Sequence, residues 1–289
     1  MIDNIKPPVK PPWLKVKACG DKRYLEVLSL IKNNNLHTVC SEANCPNRGE
    51  CYSSGTATFL ILGPNCSRNC AFCNINSGDL ATPDENEPAN VANAVDILRL
   101  KYAVITSVTR DDLPDGGAGQ FSEVIRAIRV LERSVRVEVL TPDFRGNMEA
   151  LDKVLKAGPD VFNHNIEAVP RLYSEIRPAA DYRQSLKVLL HAAEYGNMAV
   201  KSGLMVGLGE SEAELTEVFG DLAKAGVTRL TIGQYLSPSK DHYPVLKYYH
   251  PEEFKNLGKQ AEKAGIPHTF SAPLVRSSYH AAEQADSLG

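Results

Sequence analysis

The chain has 289 residues, 43% of them hydrophobic and 23% charged, with a formal net charge of −3. That length allows one large domain or two small ones with a full apolar core, and the near-neutral balance offers no basic field for nucleic acid. No apolar run approaches the roughly eighteen residues of a membrane span, and Asp3 with Pro7, Pro8, Pro11 and Pro12 interrupts the place where a signal peptide would carry its apolar stretch.

The chain opens on a Pro/Lys arm, Lys6-Pro-Pro-Val-Lys-Pro-Pro-Trp-Leu-Lys15, made basic by Lys6, Lys10, Lys15 and Lys17. A helix is predicted next, with Asp21 as its N-cap and Leu25, Leu28 and Ile31 on one face. From residue 57 a regular alternation begins. Short runs rich in Val, Ile, Leu or Thr recur at 57–63, 102–108, 136–141, 161–166, 200–208 and 229–235, as strands covered on both faces should. Between them lie helical spacings: Phe121, Val124, Ile125, Ile128 and Leu131; then Leu186, Leu189, Leu190 and Ala193; then Leu215, Val218, Phe219 and Leu222. Ser211 and Glu214 form a capping box for the last of these, and Gly158, Gly196, Gly226 and Gly265 stand where C-caps belong. A further amphipathic helix is predicted over 251–264, followed by 268–272 and a polar tail.

Six βα units in series predict a parallel sheet with right-handed crossovers. A complete TIM barrel needs eight. The expected fold is therefore α/β, a partial (β/α)6 TIM-like barrel, with an N-terminal extension over 1–56, the barrel over 57–236, and a C-terminal helix and tail over 237–289. Functional residues belong where strands end and βα loops begin.

Six of the seven cysteines crowd into residues 40–73. Cys66-Ser-Arg-Asn-Cys70-Ala-Phe-Cys73 is a C-x3-C-x2-C triplet placed directly after the first predicted barrel strand. Cys40-Ser-Glu-Ala-Asn-Cys45-Pro-Asn-Arg-Gly-Glu-Cys51 is a second triplet, C-x4-C-x5-C. Three thiolates can hold three corners of a [4Fe-4S] cluster, leaving one iron free to bind and cleave something. Structural zinc usually takes four ligands in two pairs, a poor match to this spacing. A chain of this size needs no disulfide staples, so the thiols are expected to be reduced and the chain cytoplasmic. Seven cysteines are too few for two clusters with four thiolates each. Either one cluster borrows Cys19 or both use something else at the fourth corner; Cys19 itself reads as an ordinary free thiol.

The C-x3-C-x2-C segment closely resembles the signature of radical S-adenosylmethionine (SAM) enzymes, which take the open-barrel form. The match extends further. The two triplets together, Lys10-Pro-Pro-Trp13-Leu14, Thr106-Ser-Val-Thr-Arg-Asp-Asp112, Phe162-Asn-His-Asn-Ile-Glu167, Lys201-Ser-Gly-Leu-Met-Val-Gly-Leu-Gly-Glu210 and Val275-Arg-Ser-Ser-Tyr279 resemble the lipoyl synthase family, in its order. The resemblance covers about residues 7 to 281.

It implies insertion of two sulfur atoms, at C6 and C8, into an octanoyl chain carried on a lysine. Cys66, Cys70 and Cys73 would hold the open [4Fe-4S] cluster that binds SAM. Reductive cleavage of SAM would give a 5′-deoxyadenosyl radical that takes hydrogen from the chain. Cys40, Cys45 and Cys51 would hold an auxiliary [4Fe-4S] cluster, the sulfur source, with Ser278 as its fourth ligand; serine oxygen is a hard donor among soft ones and easier to displace. Period-two alternation puts Asn163 and Asn165 on one side of a strand. If that side faces the barrel they would bind the ribose or carboxylate of SAM, with Glu167 in the loop mouth and His164 packing outward. Thr109 and Arg177 would be further SAM contacts, and Gly207-Leu-Gly-Glu210 a turn beside the adenine.

The implied partners are an octanoylated lipoyl-carrier protein (a lipoyl domain or an H protein), a ferredoxin or flavodoxin electron donor, and an iron–sulfur carrier. Nucleic acid and membrane are not expected. The basic arm would either dock an acidic lipoyl domain or stay a solvated tail. Two alternatives remain beside this one: another radical sulfur-inserting enzyme such as a biotin synthase or methylthiotransferase, and a non-catalytic iron–sulfur protein that relays electrons or senses oxygen.

Overall fold

The computed structural model describes residues 8–16 and 20–286; Lys6, Lys17 and Cys19 lie outside the described residues. Eight strands among them form one sheet in chain order: β1 (His37–Thr38), β2 (Thr58–Ile61), β3 (Tyr102–Ser107), β4 (Arg136–Leu140), β5 (Val161–Asn163), β6 (Ala199–Val206), β7 (Arg229–Gln234) and β8 (His268–Ser271). β1 is antiparallel to β2, and β2 to β8 run parallel. Every step goes to the next neighbour in the same direction, which wraps the sheet into an open barrel. β1 and β8 remain as its edges.

The six predicted strands are β2 to β7. Two edge strands were not predicted. β1 has only two residues, too few to show a period, and β8 reads His-Thr-Phe-Ser, half-buried throughout and without an apolar run. The sheet therefore extends past the 57–236 stretch at both edges.

An outer layer of helices fills the crossovers: α4 (Glu87–Ile97), α5 (Ala118–Arg129), α6 (Met148–Lys156), α7 (Tyr173–Ile176), α8 (Tyr182–Tyr195), α9 (Glu212–Lys224) and α10 (Pro251–Lys263). Before the barrel come α1 (Lys22–Asn33), α2 (Val39–Glu42) and α3 (Arg48–Ser53); α11 (Ala281–Asp286) follows it. Their starts obey local chemistry. Asp21, Asn147, Asp181 and Ser211 each accept a backbone N–H of the first turn, and Ser211 with Glu214 closes the predicted capping box. On α5, Phe121, Val124, Ile125 and Ile128 are all buried as the spacing requires, each worth about 1.5–3 kcal/mol against exposure.

Two faces differ from expectation. α1 buries Val27 and Ile31 and leaves Leu25 and Leu28 exposed, because it packs sideways on α3 through Tyr24 and Tyr52, ring centroids 5.4 Å apart. α8 buries Val188, Leu189 and Ala192, while Leu190 is exposed.

The inner face of the barrel departs most from a simple buried sheet. Val137 and Val139 of β4 join the apolar core, whereas Glu138 between them joins a polar set with Tyr102, Asn163 and Lys201. Alternation along a strand produces this division.

Candidate active site

The loop after β2 carries Cys66, Cys70 and Cys73. Burial, followed by its Cys70 and Cys66 neighbours, pushes the Cys73 thiol up to about 12, and burial also raises Cys70. Backbone N–H groups of Arg68 and Thr109 point at Cys66 Sγ, at 3.4 and 3.3 Å. The loop is held on several sides: Ser67 N–H donates to the Thr109 carbonyl at 2.9 Å, Ala71 N–H to the Ile176 carbonyl at 2.9 Å, and Tyr243 N–H to the Ala71 carbonyl at 2.8 Å. His242 Nε2 lies 3.1 Å from the Cys73 carbonyl.

Cys40 in α2, Cys45 after it and Cys51 in α3 form a second group. Burial pushes Cys40 up to about 11; burial, then Cys40 and Cys45, push Cys51 up to about 12. The two groups are neighbours, because Asn74, one residue past Cys73, donates to the Glu42 carbonyl at 2.9 Å. All six cysteines are free thiols. Neutral thiols become ligands when a metal's charge displaces their protons. Two separate triplets of soft donors, each spaced within one short segment, suit iron–sulfur clusters better than zinc, although among the described residues no three His, Cys, Asp or Glu side chains stand close enough together to hold a single metal ion.

The C-terminal segment reaches this second group. Asn47 donates to the Leu274 carbonyl at 2.7 Å, and the Tyr279 hydroxyl donates to Glu50 at 2.9 Å. The Arg276 guanidinium feels the Cys45 thiol, and Tyr279 that of Cys51. Ser278 sits between them. Ser277 exchanges hydrogen bonds with Asn165 at 2.8 and 3.0 Å, whereas the Ser278 hydroxyl has no such partner among the described residues.

The expected SAM contacts separate by depth. Asn165 donates to Glu167 Oε1 at 3.0 Å. Glu167, at φ 65°, is raised by burial against the pull of Arg177 and Asn165. Arg177 donates to the Asn165 carbonyl at 3.1 Å, and its Nε is buried without a hydrogen-bond partner among the described residues. These three border the first thiol group, since Cys70 feels both Arg177 and Glu167. Thr109 touches the cluster loop through its main chain. Asn163 differs: it is 0% exposed and its amide donates to Glu138 at 3.1 Å, so it lies a layer below, with no surface for a ligand. His164 is buried, Nδ1 2.9 Å from the Thr141 carbonyl, and burial pushes it down to about 4. Gly207-Leu-Gly-Glu210 is a turn closed by the Glu210 carboxylate, which accepts Gly207 N–H at 2.7 Å and Leu208 N–H at 2.9 Å.

Sequence reading missed Arg68, Asp111, Asp143, Glu138 and Lys201. The signal for the last two was present: a charged residue in the middle of an apolar strand run, Arg-Val-Glu-Val-Leu and Ala-Val-Lys-Ser-Gly-Leu.

The radical SAM superfamily model matches residues 60–222. Among solved structures, the FeFe-hydrogenase maturase HydG from Carboxydothermus hydrogenoformans superposes with a TM-score of 0.58 at 19% identity, over 80% of this chain and 56% of that one. Methylornithine synthase (PylB) superposes with a TM-score of 0.53 at 12% identity, over 92% and 86%. At such identities they show the open-barrel fold alone. Sequence relatives are far closer. The lipoyl synthase of Alkaliphilus metalliredigens is 54% identical over 275 residues, 95% of each chain, and that of Nitrosomonas eutropha is 50% identical over 282 residues, 97% of this chain and 90% of the other. Identity at that level over nearly the whole of each chain, together with the superfamily match, shows that the chain belongs to the lipoyl synthase family of radical SAM enzymes.

Proposed function

We propose that the two thiol groups divide the work of sulfur insertion, and that the contact between them sets where the octanoyl chain must lie. The reaction is the SAM-dependent insertion of two sulfur atoms, at C6 and C8, into a protein-bound octanoyl-lysine. The family assignment sets aside the biotin synthase, methylthiotransferase and electron-relay readings. When bound, SAM and the first [4Fe-4S] cluster supply a radical able to take hydrogen from an unactivated methylene, and the second cluster supplies sulfur.

The rest falls to the chain's own residues. Cys66, Cys70 and Cys73 hold the first cluster. The N–H groups of Arg68 and Thr109 stabilise charge on the Cys66 sulfur. Arg177, Asn165 and Glu167 orient SAM at the mouth of the barrel: the buried guanidinium suits its carboxylate, and the Glu167 carboxylate its ribose or ammonium. Thr109 borders the same space. Cys40, Cys45 and Cys51 hold the auxiliary cluster, and Ser278 is its fourth ligand. Residues 57–236 thus form the radical-generating body, while 1–56 and 237–289 build the auxiliary site together. The observation that supports this reading is the Asn74 to Glu42 hydrogen bond, which ties the loop of the first triplet to the α2 segment that carries Cys40.

The substrate is an octanoylated carrier protein, and a reductant is required. A lipoyl domain or H protein as carrier, a ferredoxin or flavodoxin as donor, an iron–sulfur carrier for rebuilding the second cluster and a cytoplasmic setting complete the proposal. No helix among the described residues is long and apolar enough to cross a membrane. Lys10 and Lys15 are exposed beside Trp13, which packs on His250 with centroids 5.0 Å apart, and they give an acidic lipoyl domain a surface to meet. The test is anaerobic, reconstituted protein with dithionite, SAM and an octanoyl-lysine peptide, read by mass spectrometry. Two added sulfurs are expected; 5′-deoxyadenosine without sulfur gain would overturn the reading.

A further inference from the structure

A strip of C-terminal chain lies along the inner face of β6 and β7, and both strands carry a glycine where it passes. A β-carbon at Gly203 would stand 2.6 Å from Asn165 Oδ1 and 2.9 Å from Ser277 Oγ; at Gly233 it would run into the Val275 carbonyl. The strip is hydrogen-bonded along its length. The Pro273 carbonyl accepts Gln234 N–H at 3.2 Å, and the Gln284 carbonyl accepts Arg229 Nε at 3.3 Å.

At its centre is Lys201. Its ammonium reaches both oxygens of Glu138, at 3.0 and 3.3 Å, and the Ser277 carbonyl at 2.5 Å. Both side chains of the ion pair are 1% exposed. An ammonium has three N–H donors, so Glu138 and the Ser277 carbonyl together account for all of them. Glu138 is also held by the Tyr102 hydroxyl at 2.6 Å and by Asn163. A buried pair costs more in desolvation than it returns unless every donor and acceptor is met. Here the tail's own carbonyl completes the set.

We propose that Lys201 is a positioning residue for the auxiliary cluster, acting through the peptide bond between Ser277 and Ser278. This rests on the reading of Ser278 as fourth ligand. The peptide unit is planar, so fixing the Ser277 carbonyl fixes the direction in which the Ser278 Cα leaves. The Asn165 bond to Ser277 Oγ fixes the preceding residue. Ser278, with its hydroxyl uncommitted, then leads to Tyr279, whose own hydroxyl is fixed at 2.9 Å on Glu50, the residue before Cys51.

The experiment uses the full chain with Cys66, Cys70 and Cys73 replaced by alanine, so that one reconstituted cluster remains, and ¹³C-cyanide as probe. Hyperfine coupling from bound cyanide reports an iron that has lost its protein ligand. With the native tail no coupling is expected. Ser278→Ala should bind cyanide, and Lys201→Met should match it although it leaves Ser278 in place. Ser277→Ala, which keeps the carbonyl, should stay closed. Glu138→Leu/Lys201→Met removes both partners of the buried pair, so that neither is left without the other, and should bind cyanide as a folded protein. In the parent chain, Lys201→Met should also speed tryptic cleavage after Arg276 on the order of tenfold. If Ser278→Ala binds cyanide and both Lys201 variants stay closed, Lys201 does not position the ligand. If Ser278→Ala itself stays closed, the fourth-ligand reading falls and takes the proposal with it.

Discussion

Arg68 and Asp143 are 75 residues apart in the chain, yet their side chains meet as a fork, Nη2 to Oδ1 at 2.7 Å and Nη1 to Oδ2 at 3.1 Å. The same guanidinium grips Asp111 at 2.6 and 2.9 Å. Arg68 lies between Cys66 and Cys70, so the loops after β3 and β4 tie down the cysteine loop through Asp111 and Asp143. Asp143 is held in turn by Gln184 at 2.9 Å and by a turn in which Phe144 and Arg145 both take left-handed backbone angles, φ 47° and 53°. Such strain persists where surrounding structure over-determines it.

Asp143→Asn should therefore destabilise the chain at neutral pH by on the order of 3 kcal/mol, the cost of breaking a buried pair from one side. Burial raises the Asp143 carboxyl, but the Arg68 hydrogen bonds and charge prevail and hold it at about 2, below the ordinary 3.8. Its stabilising contribution is complete above the ordinary value and is lost as pH falls toward about 2. The gap between wild type and Asp143→Asn should be constant above about pH 5 and narrow by about 2 kcal/mol below it. Denaturant unfolding of the cluster-free chain across that range measures it; a gap independent of pH would show that Asp143 is not ionised against Arg68.

Anaerobic reconstitution should give about eight iron and eight sulfide per chain, from two four-iron clusters. Replacing Cys66, Cys70 and Cys73 with alanine should halve both counts and abolish 5′-deoxyadenosine. Continued SAM cleavage by that variant would mean the roles of the two triplets are reversed.

Replacing Cys40, Cys45 and Cys51 should have the complementary effect. The first loop keeps its thiols and its backbone donors, so 5′-deoxyadenosine should still form, with no thiolated product. Sulfur insertion by this variant would remove the auxiliary site as sulfur donor.

For the two serines, Ser278→Ala should abolish product while iron falls only modestly, and Ser277→Ala should be milder because the Lys201 bond to its carbonyl survives. Ser278→Cys should give a sturdier cluster and a poorer sulfur donor, since thiolate holds iron more firmly. The reverse order of loss between the two alanine variants would assign the ligand to Ser277.

Gly233→Ala tests the strip by shape alone. Its β-carbon collides with the Val275 carbonyl, and overpacking of this kind costs about 1–3 kcal/mol. Product formation should fall and tail proteolysis rise, with 5′-deoxyadenosine formation kept. A variant with native proteolysis would mean that the strip can shift aside freely.

What could be read from the residues alone was whatever depends on neighbours in the chain. Both cysteine triplets, the capping box of Ser211 and Glu214, and the six runs that became β2 to β7 are local patterns set by ligand spacing, first-turn hydrogen bonding and period-two burial. Asn163 and Asn165 were expected on one strand, but β5 ends at Asn163 and Asn165 lies in the loop after it, so alternation did not fix their depth, and only the barrel put one under Glu138 and the other at the mouth. The buried face of α1 followed its packing on α3, which no helical period contains. Tertiary structure alone brought Lys201 to Glu138 across 63 residues and to the Ser277 carbonyl across 76. A buried charge is tolerable only where distant groups complete its hydrogen bonds, and those groups are adjacent in the fold and nowhere else.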